Sequence, residues 1–176
     1  GVRRAARVLG VPDLVVSNAG VAPAGRLATL ALRDWDRSLA VNATGHFLVA
    51  RETMRLMIRR GRGGAYVFVG TKNVASPGAG FGAYSAGKAA EAQLARVLAL
   101  EGGPYGIRVN SVHPDAVFAG SRLWTPGLLR KRARQHGVPL AKLPDFYAAR
   151  TLLKRPVVPE DVAEAVLFLL SPKASK

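Results

Sequence analysis

Three short apolar runs punctuate the chain at residues 13–17, 65–70 and 107–112, and long stretches of helical character separate them. Each run closes on turn or polar residues: Asn18-Ala19-Gly20, Thr71-Lys72-Asn73 and His113-Pro114-Asp115. Short runs rich in Val, Ile, Tyr and Phe between turn signals read as strands. Runs apolar on both faces, with helices between them, point to a parallel sheet covered on both sides. This alternation constrains the fold more than any other feature, because strands joined through helices admit few other arrangements. The expected fold class is therefore α/β.

The intervening segments fill in the order. A basic amphipathic helix is expected over residues 2–9. A long helix is expected from residue 32 or 33 to about 60, carrying Trp35, Leu39, Phe47, Leu48, Met54 and Met57, and Gly61-Arg62-Gly63-Gly64 ends it. Glycine there accepts the left-handed geometry of a helix C-terminus. A Gly-rich loop at residues 77–82 leads into a helix that carries Tyr84 and runs to about residue 101, where Gly102-Gly103-Pro104 stops it. Residues 118–156 are basic and irregular, with helical patches near 128–134 and 145–151. A segment of that length inside a compact domain is usually either a functional lid or disordered. A last helix is expected from residue 159 or 160 to 170, with Glu160 and Asp161 complementing its dipole.

With 176 residues, 49% hydrophobic and 21% charged, the composition suits one globular unit with a sizeable core. No run of about 18 apolar residues occurs, so no membrane-spanning helix is expected. Residues 1–7 lack the apolar segment of a secretory signal. The first residue is not Met, which suggests a processed or truncated start. The absence of cysteine excludes disulfide and thiolate chemistry and fits a cytoplasmic location. Lys and Arg total 26 against 11 acidic residues, a formal +15, a field that attracts phosphates. The cations are dispersed, however, with concentrations only at residues 55–62 and 130–134. No aromatic-interleaved basic stripe accompanies them. Specific nucleic-acid binding is accordingly not expected.

Tyr84 and Lys88 stand four residues apart, hence on one face of their helix. A tyrosine titrates near 10 when free, and a fixed cation beside it lowers that value. The pair can therefore serve as a general acid/base, although Tyr-x-x-x-Lys also occurs by chance on helix surfaces. The surroundings strengthen the catalytic reading. In open parallel sheets ligands bind outside the carboxyl ends of the strands, and there Asn18-Ala19-Gly20, Thr71 and Pro114-Asp115 would share one crevice with Tyr84.

At these positions the chain resembles the short-chain dehydrogenase/reductase family. Asn18-Ala19-Gly20 after a strand, Val41-Asn42 on the next helix, Thr71 ahead of Tyr84, the Tyr84 to Lys88 motif and the Asn110 to Pro114 strand end match in order and spacing. The resemblance implies a Rossmann-like, doubly wound parallel sheet. A closer likeness, to the dehydrogenase half of bifunctional rhamnulose-1-phosphate aldolase/short-chain dehydrogenases, is carried by several motifs. They are Thr71-Lys72-Asn73, Pro114-Asp115-Ala116-Val117, Gly120-Ser121-Arg122-Leu123-Trp124, Phe146-Tyr147, Arg150-Thr151-Leu152-Leu153 and Pro159-Glu160-Asp161-Val162. It implies oxidation of lactaldehyde to lactate.

By resemblance, Tyr84 transfers the proton at the reacting oxygen, and Lys88 lowers its pKa and holds the nicotinamide ribose. Thr71 hydrogen-bonds the substrate oxygen, or else satisfies backbone at its strand end. Asn42 anchors a water in the proton relay, or is a buried helix asparagine bonded to a carbonyl. Asn18, Ala19 and Gly20 pass close to the cofactor, the alternative being a plain strand-to-loop turn. Pro114 and Val117 belong to the segment that meets the nicotinamide. Asp115 stands where the family usually has Gly, and either orients a substrate hydroxyl or is a turn residue. Arg122 reads as solvated lid charge or as a bidentate partner for a carboxylate product, while Trp124 and Tyr147 read as lid packing. His46, His113 and His136 lack metal-ligand spacing, and no metal is expected.

The implied cofactor is NAD or NADP, with NAD favoured by the resemblance. The implied partners are a small alcohol or aldehyde substrate and a second copy of the complete chain, paired through the two long helices. Before residue 13 no glycine turn of the kind that cradles a pyrophosphate occurs. Residues 1–176 are therefore expected to be the C-terminal part of one Rossmann domain, short of its first βαβ portion and last strand, with a lid-like insert at about 118–156. A non-enzymatic basic binding module, or a degenerate scaffold, is the competing class.

Overall fold

The computed structural model describes residues 1–175. Helix α1 (Val2–Leu9) precedes strand β1 (Leu14–Ser17). Helix α2 (Leu32–Leu39) runs through a π-helical turn (Ala40–Gly45) directly into α3 (His46–Arg60). Strand β2 (Gly64–Val69), helix α4 (Gly82–Gly102) and strand β3 (Ile107–Val112) follow. Helices α5 (Pro126–His136), α6 (Leu143–Ala149) and α7 (Pro159–Leu170) complete the described residues.

The strands form a parallel sheet in the order β1-β2-β3. Ser17 pairs with Phe68, and Val69 with Val112, so all three carboxyl ends emerge along one edge. This is the expected α/β, Rossmann-like arrangement. Tyr66 and Phe68 on β2 pack with Met54 and Met57 of α3, Ala95 and Leu98 of α4, and Ile107 and Val109 of β3. Side chains alternate along a strand, which leaves Ala65, Val67 and Val69 for the opposite face, where α7 packs. β1 departs from the expectation of a fully buried strand. It pairs only with β2, so Leu14 (55%) and Val16 (47%) stay exposed at the sheet edge.

The expected long helix is present, but a π-helical turn lies at its middle. Nothing in residues 40–45 announces it, since no proline is present. Such turns insert a residue into the hydrogen-bond ladder and occur often at functional sites. Here the turn carries Asn42, and α4 crosses it at close range. A Cβ on Gly87 would stand 2.9 Å from Asn42 Cβ and 3.3 Å from the Ser38 carbonyl oxygen. Gly87→Ala is therefore expected to cost about 1–3 kcal/mol by overpacking, more than the roughly 1 kcal/mol of helix propensity it gains. A lowered urea midpoint would register the loss.

The C-terminus of α7 is held by one side chain. Arg108 on β3 donates from Nη1 to the carbonyls of Leu169 (2.8 Å) and Ala174 (2.7 Å), and from Nη2 to those of Leu170 (3.2 Å) and Ser171 (3.0 Å). Helix ends leave such carbonyls without intrahelical partners, and this half-buried guanidinium fork satisfies several at once.

The insert is more ordered than its composition suggests. Thr125 caps α5 by accepting from the Leu128 N–H (3.3 Å). Phe118 stacks on Trp124 at 4.3 Å, and both meet the Tyr147 ring edge-on. Arg132, buried among these basic residues, donates to Tyr147 Oη (2.9 Å) and to the Ala79 carbonyl (3.1 Å). It thereby ties α5 both to α6 and to the Gly-rich loop before α4.

Candidate active site

The strand ends, the start of α4 and the insert enclose a cavity of about 840 Å³. Asn18, Ala19 and Gly20 line it from the end of β1, Thr71 from the end of β2, and Pro114, Asp115 and Val117 from the end of β3. Tyr84 and Lys88 reach it from α4, and the exposed Arg122 from the insert. Trp124 and Tyr147, expected to pack the lid, meet edge-on and also line the cavity. Of the residues expected to be catalytic or to meet cofactor or substrate, Asn42 alone lies outside the cavity wall.

Two side chains from the long helix hold the loop after β1. Asn42 is fully buried; its Oδ1 accepts from the Val21 N–H (3.1 Å), and its Nδ2 donates to the Val21 carbonyl (2.8 Å) and Ser38 Oγ (3.0 Å). Both amide donor and acceptor groups are thus engaged with the loop after β1 and with Ser38. His46 Nε2 contacts the Ala19 carbonyl oxygen at 2.8 Å, and its Nδ1 contacts Ser17 Oγ at 2.6 Å. The ends of β2 and β3 are tied by the Lys72 N–H, which donates to the Pro114 carbonyl (3.0 Å). Thr71 Oγ1 accepts from the Asn73 N–H (3.3 Å), so this threonine satisfies backbone and faces the cavity at the same time.

Tyr84 packs its ring against Phe81, centroids 6.0 Å apart, in a cluster with Leu128. Lys88 shares its helix face, and its ammonium is engaged by groups other than the phenol. Its Nζ donates to the Val69 carbonyl (2.8 Å) and sits 2.6 Å from Glu91 Oε2. Lys88 is not among the groups that shift the Tyr84 phenol in this arrangement. Burial pushes the phenol above its ordinary value; hydrogen bonding to Thr71 partly offsets this, and the Glu91 charge adds to it. Burial likewise pushes the Glu91 carboxyl up to about 7 against the opposing pull of Lys88.

Glu91, His46 and Arg132 escaped the sequence reading as site residues. A signal existed for Glu91: it is the acid three residues after Lys88 and seven after Tyr84, which places it on the same helix face. His46 and Arg132 carried no comparable local cue. Among the described residues no group of three or more His, Cys, Asp or Glu side chains could hold a metal, and no helix is long and apolar enough to cross a membrane.

The family described as enoyl-(acyl carrier protein) reductase matches residues 1–176. The uncharacterized oxidoreductase YuxG of Bacillus subtilis is 46% identical over 173 residues, 98% of this chain and 25% of that protein. Sorbitol-6-phosphate 2-dehydrogenase of Escherichia coli is 37% identical over 171 residues, 96% of this chain and 64% of the enzyme. The crystal structure of sorbitol-6-phosphate 2-dehydrogenase SrlD from Erwinia amylovora superposes with a TM-score of 0.86 at 33% identity. That match covers 99% of this chain and 67% of SrlD. The chain thus spans from a quarter to about two thirds of the length of these relatives. A parallel sheet with a tyrosine and a lysine at its carboxyl edge, matched over the whole chain, leaves one assignment: this chain belongs to the short-chain dehydrogenase/reductase family.

Proposed function

We propose that the full-length protein is an NAD(P)-dependent oxidoreductase acting on a small alcohol or aldehyde, with lactaldehyde, oxidised to lactate, as the specific substrate. The observation that carries this reading is the Tyr84 hydroxyl, buried beside Thr71 in a cavity at the carboxyl edge of a parallel sheet. The 25% coverage of YuxG shows at least one relative much longer than a single dehydrogenase domain. That is in keeping with a two-part protein of the kind the lid motifs resemble.

The described residues fit the nicotinamide end of a dinucleotide. Val16, Val69, Pro114 and Val117 give the cavity apolar walls, and Thr71, Tyr84 and Lys88 bring hydroxyl and ammonium groups to it. A nicotinamide, when bound, supplies the acceptance or donation of a hydride at the reacting carbon. The protein's own residues handle orientation and the proton. Thr71 holds the substrate oxygen, and Tyr84 takes its proton in oxidation or returns one in reduction. For an aldehyde, the hydrate gives up the hydroxyl proton to Tyr84 as the C–H bond breaks, leaving the acid. Asp115 would orient a second hydroxyl, and Arg122 would meet a carboxylate at the lid. A dimer through the outer faces of α3 and α4 accompanies this reading, since Phe47, Leu48, Val97 and Leu100 lie exposed there.

The test is a panel of lactaldehyde, related hydroxyaldehydes and small polyols offered to the full-length protein with NAD⁺ or NADP⁺. Reduced-cofactor absorbance should rise with lactaldehyde and less with the others. No turnover of any panel member with either cofactor would overturn the reading.

A further inference from the structure

A line of buried polar groups beneath Tyr84 plays no part in the proton transfer described above. Ser17 Oγ, His46, Glu91 and Lys88 follow one another at 2.6 Å, 3.5 Å and 2.6 Å, with the Ala19 carbonyl oxygen 2.8 Å from His46 Nε2. A carbonyl can only accept, so His46 Nε2 carries the hydrogen and Nδ1 accepts from the Ser17 hydroxyl. Burial and the charge of Lys88 both lower the His46 pKa, which keeps the ring neutral near pH 7. Lys88 is therefore the cation facing Glu91, and the two side chains are 3% and 1% exposed. Acids and lysines are almost never this buried unless paired. The ammonium approaches Oε2 without the alignment of a directional hydrogen bond, and neither carboxylate oxygen has a well-formed hydrogen-bond partner among the described residues. The charged groups and phenols facing Glu91 are Lys88 and Tyr84 on its own helix, His46 on α3 and Tyr66 on β2.

We propose that Glu91 is a positioning residue whose carboxylate holds the Lys88 ammonium against the end of β2, and that removing its charge frees Lys88 to act on Tyr84. This rests on the reading of Tyr84 as the proton-transfer group. Above about pH 7 the carboxylate is charged; it compensates Lys88 and raises the phenol. Below that value the acid is neutral and the cation is uncompensated. Glu91 thereby determines how much of the Lys88 charge reaches Tyr84.

Phenolate absorbance of the full-length protein, recorded against pH for the wild type and Glu91→Gln, each with its Tyr84→Phe counterpart, isolates the Tyr84 titration without relying on turnover. Glu91→Gln should move the Tyr84 midpoint down by about one pH unit or more, and Glu91→Asp should restore it at least in part. A purely structural role would lower thermal stability and leave the midpoint in place; an unchanged midpoint in folded Glu91→Gln overturns the proposal. If that variant does not fold, carbon-13 NMR of the wild-type carboxyls and lysine ε-carbons decides. The Glu91 carboxyl should titrate near neutrality with Lys88 moving at the same midpoint. A Glu91 midpoint in the ordinary glutamate range, or a Lys88 signal indifferent to it, equally overturns the proposal. Absence of dehydrogenase turnover would defeat the functional reading and leave this titration intact.

Discussion

Tyr84→Phe in the full-length protein lowers kcat by about 10²–10⁴-fold, the contribution expected of a positioned general acid/base, while cofactor affinity stays close to that of the wild type. The substitution removes one oxygen and keeps the ring that packs against Phe81 and Leu128. The cavity wall therefore survives, and the loss falls on the proton step alone. Steady-state kinetics with the preferred substrate, alongside a cofactor-binding titration, separate the two. A variant that turns over at near wild-type rate would sink the assignment of Tyr84; a variant that neither binds cofactor nor turns over would point to a packing defect instead.

Lys88→Met has a second large effect, on stability, and the effect depends on pH. Removing one partner of a buried ion pair costs about 3–5 kcal/mol because the other charge is left uncompensated. In the wild type Glu91 titrates at about 7, well above its ordinary 4.5, and Lys88 is what restrains it from rising further. Without the lysine the folded carboxyl holds its proton to higher pH. Such a group removes stability as pH rises, because the unfolded chain releases the proton first. Below about pH 7 both proteins carry a neutral Glu91, and the stability gap is constant and small. Above that value only the wild type ionises at little cost, and the gap widens toward the full figure. Urea unfolding on either side of neutrality reads this directly. A gap of equal size at both values would mean that Lys88 stabilises by packing rather than by charge.

Most of the framework was legible because it rests on local periodicity. The runs at 13–17, 65–70 and 107–112 are strands, and Gly61 ends its helix in the left-handed geometry that glycine accepts, whereas Gly102 and Gly103 stay right-handed and the left-handed turn falls at Gly106. The strand-end residues converge because parallel strands share one polarity. Long-range pairing, by contrast, leaves little local trace. Arg132 looks like one more cation in a basic insert, yet it is buried on Tyr147 and a carbonyl 53 residues away. The exposure of Leu14 and Val16 follows from the edge position of β1, which an apolar run does not reveal. The i,i+4 spacing of Tyr84 and Lys88 fixed their shared face correctly. It could not show that Glu91, one turn further along, would draw the ammonium away.

The fork of Arg108 has a consequence for how the cavity opens. Val162, Ala163 and Val166 of α7 form part of its wall, and the ends of a helix ordinarily open before its middle. Two carbonyls of its last turn, that of its cap Ser171 and that of Ala174 beyond it are bound to one residue of β3, so the helix end opens only by giving up these bonds to the strand beneath it. That part of the cavity wall is thereby anchored to the sheet itself, in contrast to the wall contributed by the aromatic cluster of Trp124 and Tyr147, which is tied to neighbouring helices and loops.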